Sequence, residues 1–156
     1  MKKYIMRVIK SFSIIHYPLS IFILSLLFFS CNSKYDDENA QKSMISDRLF
    51  RVQEAFNMSN WDSIMLNYHP DFYHFGRDYH TQTIVWREKM ALYNRMDFEI
   101  LNIDLFDEFA EVRFLLYYYD NTSVHGPFVE PDTFGDMSYF FYDRGDWLIY
   151  GNQRRD

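Results

Sequence analysis

An α+β fold, with helices gathered early and an antiparallel sheet late, is what this sequence predicts. Three observations carry that expectation. Apolar positions recur at helical spacing between Met44 and Tyr93, alternate between Asp97 and Tyr119, and end in two short runs around Asp143-Arg144-Gly145-Asp146. Strands do not alternate regularly with crossover helices, so a βαβ series is not indicated. With 156 residues the chain is long enough for one domain and too short for two ordinary ones.

Ile45, Leu49, Val52 and Phe56 line one face of a helix expected over Met44 to Met58. Asn60 is placed to cap a second, short helix whose buried side holds Trp61, Ile64 and Met65, and Pro70 ends it. Asp71 to Gly76 reads as a short extended piece with Phe72 and His74 on one side and Tyr73 and Phe75 on the other. Thr81 or Thr83 starts the next helix, with Ile84, Trp86, Met90 and Tyr93 as its apolar contacts.

Strand alternation then takes over. From Asp97 to Leu105, Glu99, Leu101, Ile103 and Leu105 fall on one side, and Phe98, Ile100 and Asn102 on the other. Phe109 to Asp120 forms a long strand with Ala110, Val112, Phe114, Leu116 and Tyr118 on its apolar face. Residues 120–135 carry Gly, Pro, Asn and Asp and read as a loop or irregular edge. In the final pair Gly145 supplies the positive φ of a tight hairpin turn.

The first 43 residues differ in kind. Lys2, Lys3, Arg7 and Lys10 precede an apolar run from Ile14 to Phe29, the order of a secretory signal. A retained anchor is the main alternative, although the run is slightly short for the roughly 20 residues that span a bilayer. Leu27-Phe28-Phe29-Ser30-Cys31 resembles the lipobox of bacterial lipoproteins, with Ser30 in the small position and Phe28 and Phe29 departing from the usual pattern. That resemblance implies a signal peptide over 1–30, acylation of Cys31, a lipidated flexible tether over 31–43 and a domain over 44–156. Attachment would be to a cell-envelope membrane through lipid, firm where two or three acyl chains are present.

Loss of the four basic residues of the leader, which has no Asp or Glu, moves the formal net charge from −6 to −10. An anionic membrane surface repels such a domain, and no Lys/Arg stripe remains to neutralise nucleic-acid phosphates. The lone cysteine excludes an internal disulfide and any sulfur-based metal cluster.

A second resemblance covers residues 44–151. The first helix, then NWDSIMLNYHPDFYHFG, another helix, and strands ending in DRGDWLIYG are similar to the nuclear-transport-factor-2-like (NTF2-like) superfamily, especially its small SnoaL-like members. Asp62, Asp71-Phe72 and Trp147-Leu148-Ile149 carry the likeness. It implies a cone of N-terminal helices packed on a strongly curved antiparallel sheet, and a cavity that serves ligand binding, protein association or catalysis in different members. It also implies a homodimer through the sheet face. In the ketosteroid-isomerase-like branch a catalytic carboxylate is expected near Phe75 to Asp78, yet Gly76 or Arg77 falls at that place.

The densest chemistry lies in YHPDFYHFGRDYH, Tyr68 to His80. Tyr68, His74 and Asp78 are the catalytic or pocket candidates: a His or Asp to take a proton, a Tyr to stabilise an oxygen gaining charge. Packing and capping are the competing roles, with Asp78 able to cap the following helix. Trp61, Tyr93, Phe114, Tyr118, Tyr139 and Phe141 are candidates to line an apolar pocket, and equally to fill a core or interface. His69, His74 and His80 have gaps of five and six, which match no zinc or EF-hand pattern, and no cofactor motif is present. The resulting expectation is a lipoprotein with a domain for small hydrophobic ligands or protein association. The alternative is a SnoaL-like isomerase, dehydratase or hydrolase acting on a small hydrophobic substrate.

Overall fold

A computed structural model describes residues 37–154. The chain divides into two units, Met1–Ala40 and Gln41–Asp156, and of the first only residues 37–40, a helical stretch, are described. The signal peptide, Cys31 and most of the tether expected from the sequence therefore lie outside the described residues. Among those residues no helix is long and apolar enough to cross a membrane.

Helix α1 occupies residues 37–57, so helix already covers 37–43, the part read as tether. Its Ile45, Leu49, Val52 and Phe56 are all buried, as their spacing requires. Helix α2, Trp61–Met65, is capped by Asn60, whose side chain accepts from the Ser63 amide at 3.1 Å. The short strands β1, Tyr73–His74, and β2, Arg77–Asp78, form a separate antiparallel pair turned by Phe75 and Gly76, both at positive φ. Helix α3, Tyr79–Leu92, begins two residues before Thr81 because Asp78 is the cap: its carboxylate accepts from the Thr81 amide at 2.8 Å. Trp86 is fully buried on α3, whereas Ile84, expected as a core contact, is 46% exposed. The buried face runs through Gln82 and Trp86, a four-residue step that puts Ile84 on the opposite face.

The main sheet holds β3, Arg95–Phe106; β4, Phe109–Tyr119; β5, Val124–Glu130; β6, Tyr139–Asp143; and β7, Asp146–Ile149. β4 is its axis. One edge of β4 pairs with β3; the other is shared by β6 near Phe109 to Glu111 and by β5 near Phe114 to Tyr119. All pairings are antiparallel, and the sheet curves around the helices, an NTF2-like cone. Bulges enable the bend.

One of them overturns the expected facing of β3. Ile100 pairs with Phe114 but Asn102 pairs with Arg113, so Leu101 is an inserted residue. Beyond it the alternation shifts by one, and Phe98, Ile100, Ile103 and Leu105 all pack toward the core. A second irregularity lies between Leu116 and Tyr118 opposite β5, a strand where the sequence suggested a loop or irregular edge. Gly126 sits there at φ +121°, and any Cβ would run into the Leu116 carbonyl and lie 3.2 Å from the Phe128 nitrogen. The closing hairpin agrees with expectation: Arg144 (φ 50°) and Gly145 (φ 92°) form its two-residue turn between paired Asp143 and Asp146.

α1 is fixed to the sheet by polar contacts at both ends of its buried length. The Asn57 side chain receives the Met96 amide at 2.7 Å and donates to the Met96 carbonyl at 3.1 Å, acting as a strand partner on the open edge of β3. Arg48, buried, pairs with Asp146 and donates to Asn67 Oδ1 at 3.3 Å.

Candidate functional site

The six aromatic candidates do not share one chamber. On β4 the core-facing residues are Ala110, Val112, Phe114, Leu116 and Tyr118, and residues opposed across strands share a face. Phe114 and Tyr118 therefore point into the cone. Tyr139 pairs with Glu111 and Phe141 with Phe109, so these two lie on the outer face. Tyr93 stacks on Tyr118 with ring centroids 4.9 Å apart, and Trp61 lies beneath the Arg87 guanidinium, 3.8 Å from the ring centroid.

Tyr68, His74 and Asp78 also have separate surroundings. The Tyr68 hydroxyl is buried and accepts from Trp86 Nε1 at 3.0 Å; burial raises its pKa well above the usual phenol value. Asp78 is exposed and occupied as the α3 cap, with its pKa lowered by hydrogen bonds from Thr81. Tyr68 and Asp78 do border one surface depression of about 710 Å³ with His80, but Tyr68 is buried there with its hydroxyl oxygen on Trp86 Nε1, and Asp78 is bound to the Thr81 amide. His74 is fully buried elsewhere, its Nε2 2.7 Å from the Phe134 carbonyl and its Nδ1 accepting from the Asn152 amide at 3.3 Å. Those two contacts select the neutral Nε2–H tautomer. Arg77, in the family's carboxylate neighbourhood, faces Asp136 at 3.8 Å.

Inside the cone the polar centre is one that the sequence reading missed. Asp136 is buried and accepts from Gln82 Nε2 at 2.8 Å and Lys89 Nζ at 3.2 Å. Burial alone would raise its pKa, but Lys89, Gln82 and Arg77 hold it below the ordinary carboxylate value. The Lys89 ammonium also approaches the faces of Trp86 and Phe134 at 4.8 and 4.7 Å. Beside it, burial pushes the Tyr118 hydroxyl up to about 12 against the pull of Lys89. Glu130, likewise buried, receives the Phe134 and Gly135 amides, and desolvation outweighs them to raise its pKa to about 7. Gln82, Trp86 and Lys89 are spaced four and three apart, so a shared helix face was readable. Asp136 and Glu130 were not, because both lie at or beside the segment without periodicity.

The outer face offers the opposite character. A groove of about 570 Å³ is walled by Phe75, Phe106, Phe109, Tyr139 and Tyr150 and by the terminal stretch from Gly151 to Arg154. Phe75, Phe106 and Phe109 are 52, 60 and 48% exposed. Phe141 packs behind Phe109 and Tyr150, the three tilted rings having centroids 5.0 to 6.2 Å apart. Rings held rigidly by their neighbours and open to solvent can receive a flat apolar molecule, and Asn152, Gln153, Arg154 and Glu111 add polar groups at the rim.

No protein-family model matches this sequence, and no curated protein matches it. Solved structures do. The Bdellovibrio bacteriovorus protein Bd1075 superposes with a TM-score of 0.54 at 11% identity, over 74% of this chain and 40% of that one; this chain thus spans well under half of that relative. Rv3472 from Mycobacterium tuberculosis, of unknown function, gives 0.55 at 12% identity over 75% and 72%. An NTF2-like protein of unknown function from Shewanella oneidensis MR-1 gives 0.54 at 15% identity over 70% and 94%. The fold is NTF2-like, and at such identities the likeness is one of fold.

Proposed function

We propose that this protein is a cell-envelope lipoprotein, anchored through Cys31, whose NTF2-like domain binds a small aromatic or hydrophobic ligand in the outer aromatic groove. The observation that carries this reading is the contrast between the two faces of the sheet. Within the cone the charged groups are engaged with one another around Asp136. On the outer face, three phenylalanines remain half-exposed around a groove of ligand size. The catalytic alternative finds less support, since Tyr68 and Asp78 are committed to Trp86 and Thr81 and His74 joins neither.

Indole, titrated into the full-length protein and followed by NMR, tests the groove. Shifts confined to the residues walling the groove, among them Phe75, Phe106, Phe109, Tyr139, Tyr150 and Gly151, and abolished by Phe109→Ser support it; shifts centred elsewhere, or none, refute it. The anchor is tested by intact mass of membrane-extracted protein, where absence of acyl mass on Cys31 refutes attachment.

The same exposed rings favour a second reading, a homodimer across the sheet face, with Val129, 44% exposed, extending the apolar surface. Sedimentation of native protein and Phe109→Ser separates the two: only a dimer loses mass with the substitution.

A further inference from the structure

His74 touches both segments that close this end of the fold. Its Nε2 meets the Phe134 carbonyl at 2.7 Å, in the connection between β5 and β6. Its Nδ1 accepts the Asn152 amide at 3.3 Å, in the stretch that forms one wall of the aromatic groove. Both segments approach so closely that only glycine fits: a Cβ on Gly135 would stand 2.9 Å from His74 Cε1, and one on Gly151 3.0 Å from His74 Cβ. Asn152 is tied further to the groove through its Oδ1, which accepts the Phe75 amide at 3.4 Å. On either side of Asn152 the wall is held by other bonds: the Tyr150 and Gly151 amides donate to the Tyr139 carbonyl at 2.8 and 3.3 Å, the Tyr73 amide to the Tyr150 carbonyl at 3.1 Å, the Gln153 amide to the Tyr73 carbonyl at 3.0 Å, and the Gln153 side chain to the Asp71 carbonyl at 3.3 Å.

We infer that His74 is a proton-operated latch on the groove, a reading that rests on the groove being the binding site. Neutral, the imidazole donates at one nitrogen and accepts at the other, and both segments stay docked. A second proton can go only to Nδ1, where it meets the Asn152 N–H donor to donor. That hydrogen bond is then lost, Asn152 withdraws from Phe75, and the wall loosens at Asn152, releasing the ligand.

The surroundings set the direction. Burial lowers the His74 pKa below 6.5; the Phe134 carbonyl and Asp136 oppose that shift, while Arg77 on β2 and Lys89 on α3 reinforce it. Glu130 is the remaining ionisable group of the connection and is bound to the Phe134 and Gly135 amides. Phe72, Phe75 and Tyr139 pack on the ring and bring no charge at neutral pH. The latch is therefore closed at neutral pH and opens as pH falls below 6.5.

The test uses full-length protein, native and His74→Gln, with indole as ligand. Glutamine keeps an N–H donor for Phe134 and cannot take the second proton. Native protein should lose affinity progressively as pH falls below 6.5, approaching at most tenfold per pH unit, the limiting slope for one linked proton, while the variant changes little. Exchange of the Asn152 amide, corrected for its intrinsic pH dependence, should rise with the same midpoint as the His74 ring titration. A variant that keeps the native pH dependence overturns the latch, as does an Asn152 amide that stays protected while His74 titrates. If indole binds at neither pH the groove reading fails, and Asn152 exchange still decides the latch. If His74→Gln does not fold, the comparison of midpoints in native protein decides it.

Discussion

The Lys89 ammonium lies 3.2 Å from the Asp136 carboxylate inside the cone, joining α3 to the segment before β6. Taking two charges out of water is costly, and the pair holds because Gln82 and Arg77 share the load on Asp136. Asp136→Ala leaves Lys89 buried without its counter-charge and should cost about 3–5 kcal/mol. Lys89→Met combined with Asp136→Leu should recover much of that loss. Urea denaturation of the native, single and double variants measures both.

Gly151 tests whether the terminal stretch is docked as closely as described. At φ +77° it is in the left-handed region, and a Cβ would lie 2.8 Å from the Tyr73 carbonyl carbon. Gly151→Ala combines backbone strain with that collision and should destabilise by roughly 2 kcal/mol or more. Gly145→Ala, also at positive φ (+92°) but with nothing within 4 Å, should cost less. Thermal melts of the two rank them.

Ser138 is fully buried and its hydroxyl has no hydrogen-bond partner among the described residues. A buried hydroxyl left unsatisfied costs about 1–3 kcal/mol. Ser138→Ala should therefore match or exceed the native midpoint in urea. A clear loss of stability would show that the hydroxyl is bonded.

Glu130 gives a pH signature. Its folded pKa, about 7, lies above the ordinary 4.5, so the folded chain holds this proton more tightly. Its contribution is fully present below pH 4.5 and is lost as pH rises through 7. His74 acts in the other sense: its lowered pKa means that stability is lost as pH falls below 6.5. Stability measured from pH 4.5 to 8 should thus decline less steeply toward neutrality in Glu130→Gln than in native protein.

Phe109→Ser should leave the fold intact, since the ring is 48% exposed, and should weaken indole binding at least about tenfold if ring stacking supplies on the order of 1.4 kcal/mol. A circular-dichroism spectrum together with the indole titration checks both halves.

The sequence by itself determined the elements and their order. Ile45, Leu49, Val52 and Phe56 repeat at the helical period, β4 alternates, and Arg144-Gly145 suits a two-residue turn, because each is a local property of the chain. The Asn60 cap was readable for the same reason, and Asp78 was recognised as able to cap α3. What only the tertiary structure decided was facing and partnership. Leu101 reverses the alternation of β3, since a bulge arises from pairing with β4 and leaves no mark on β3 alone. Residues 124–130 become a strand only because β4 offers them a free edge. Asp136 and Glu130 become the buried charges of the cone because the loop folds back over Lys89. Tyr139 and Phe141 face outward because they are registered against Glu111 and Phe109. A site assembled from segments distant in the chain is set by such pairings, which periodicity within any one segment does not encode.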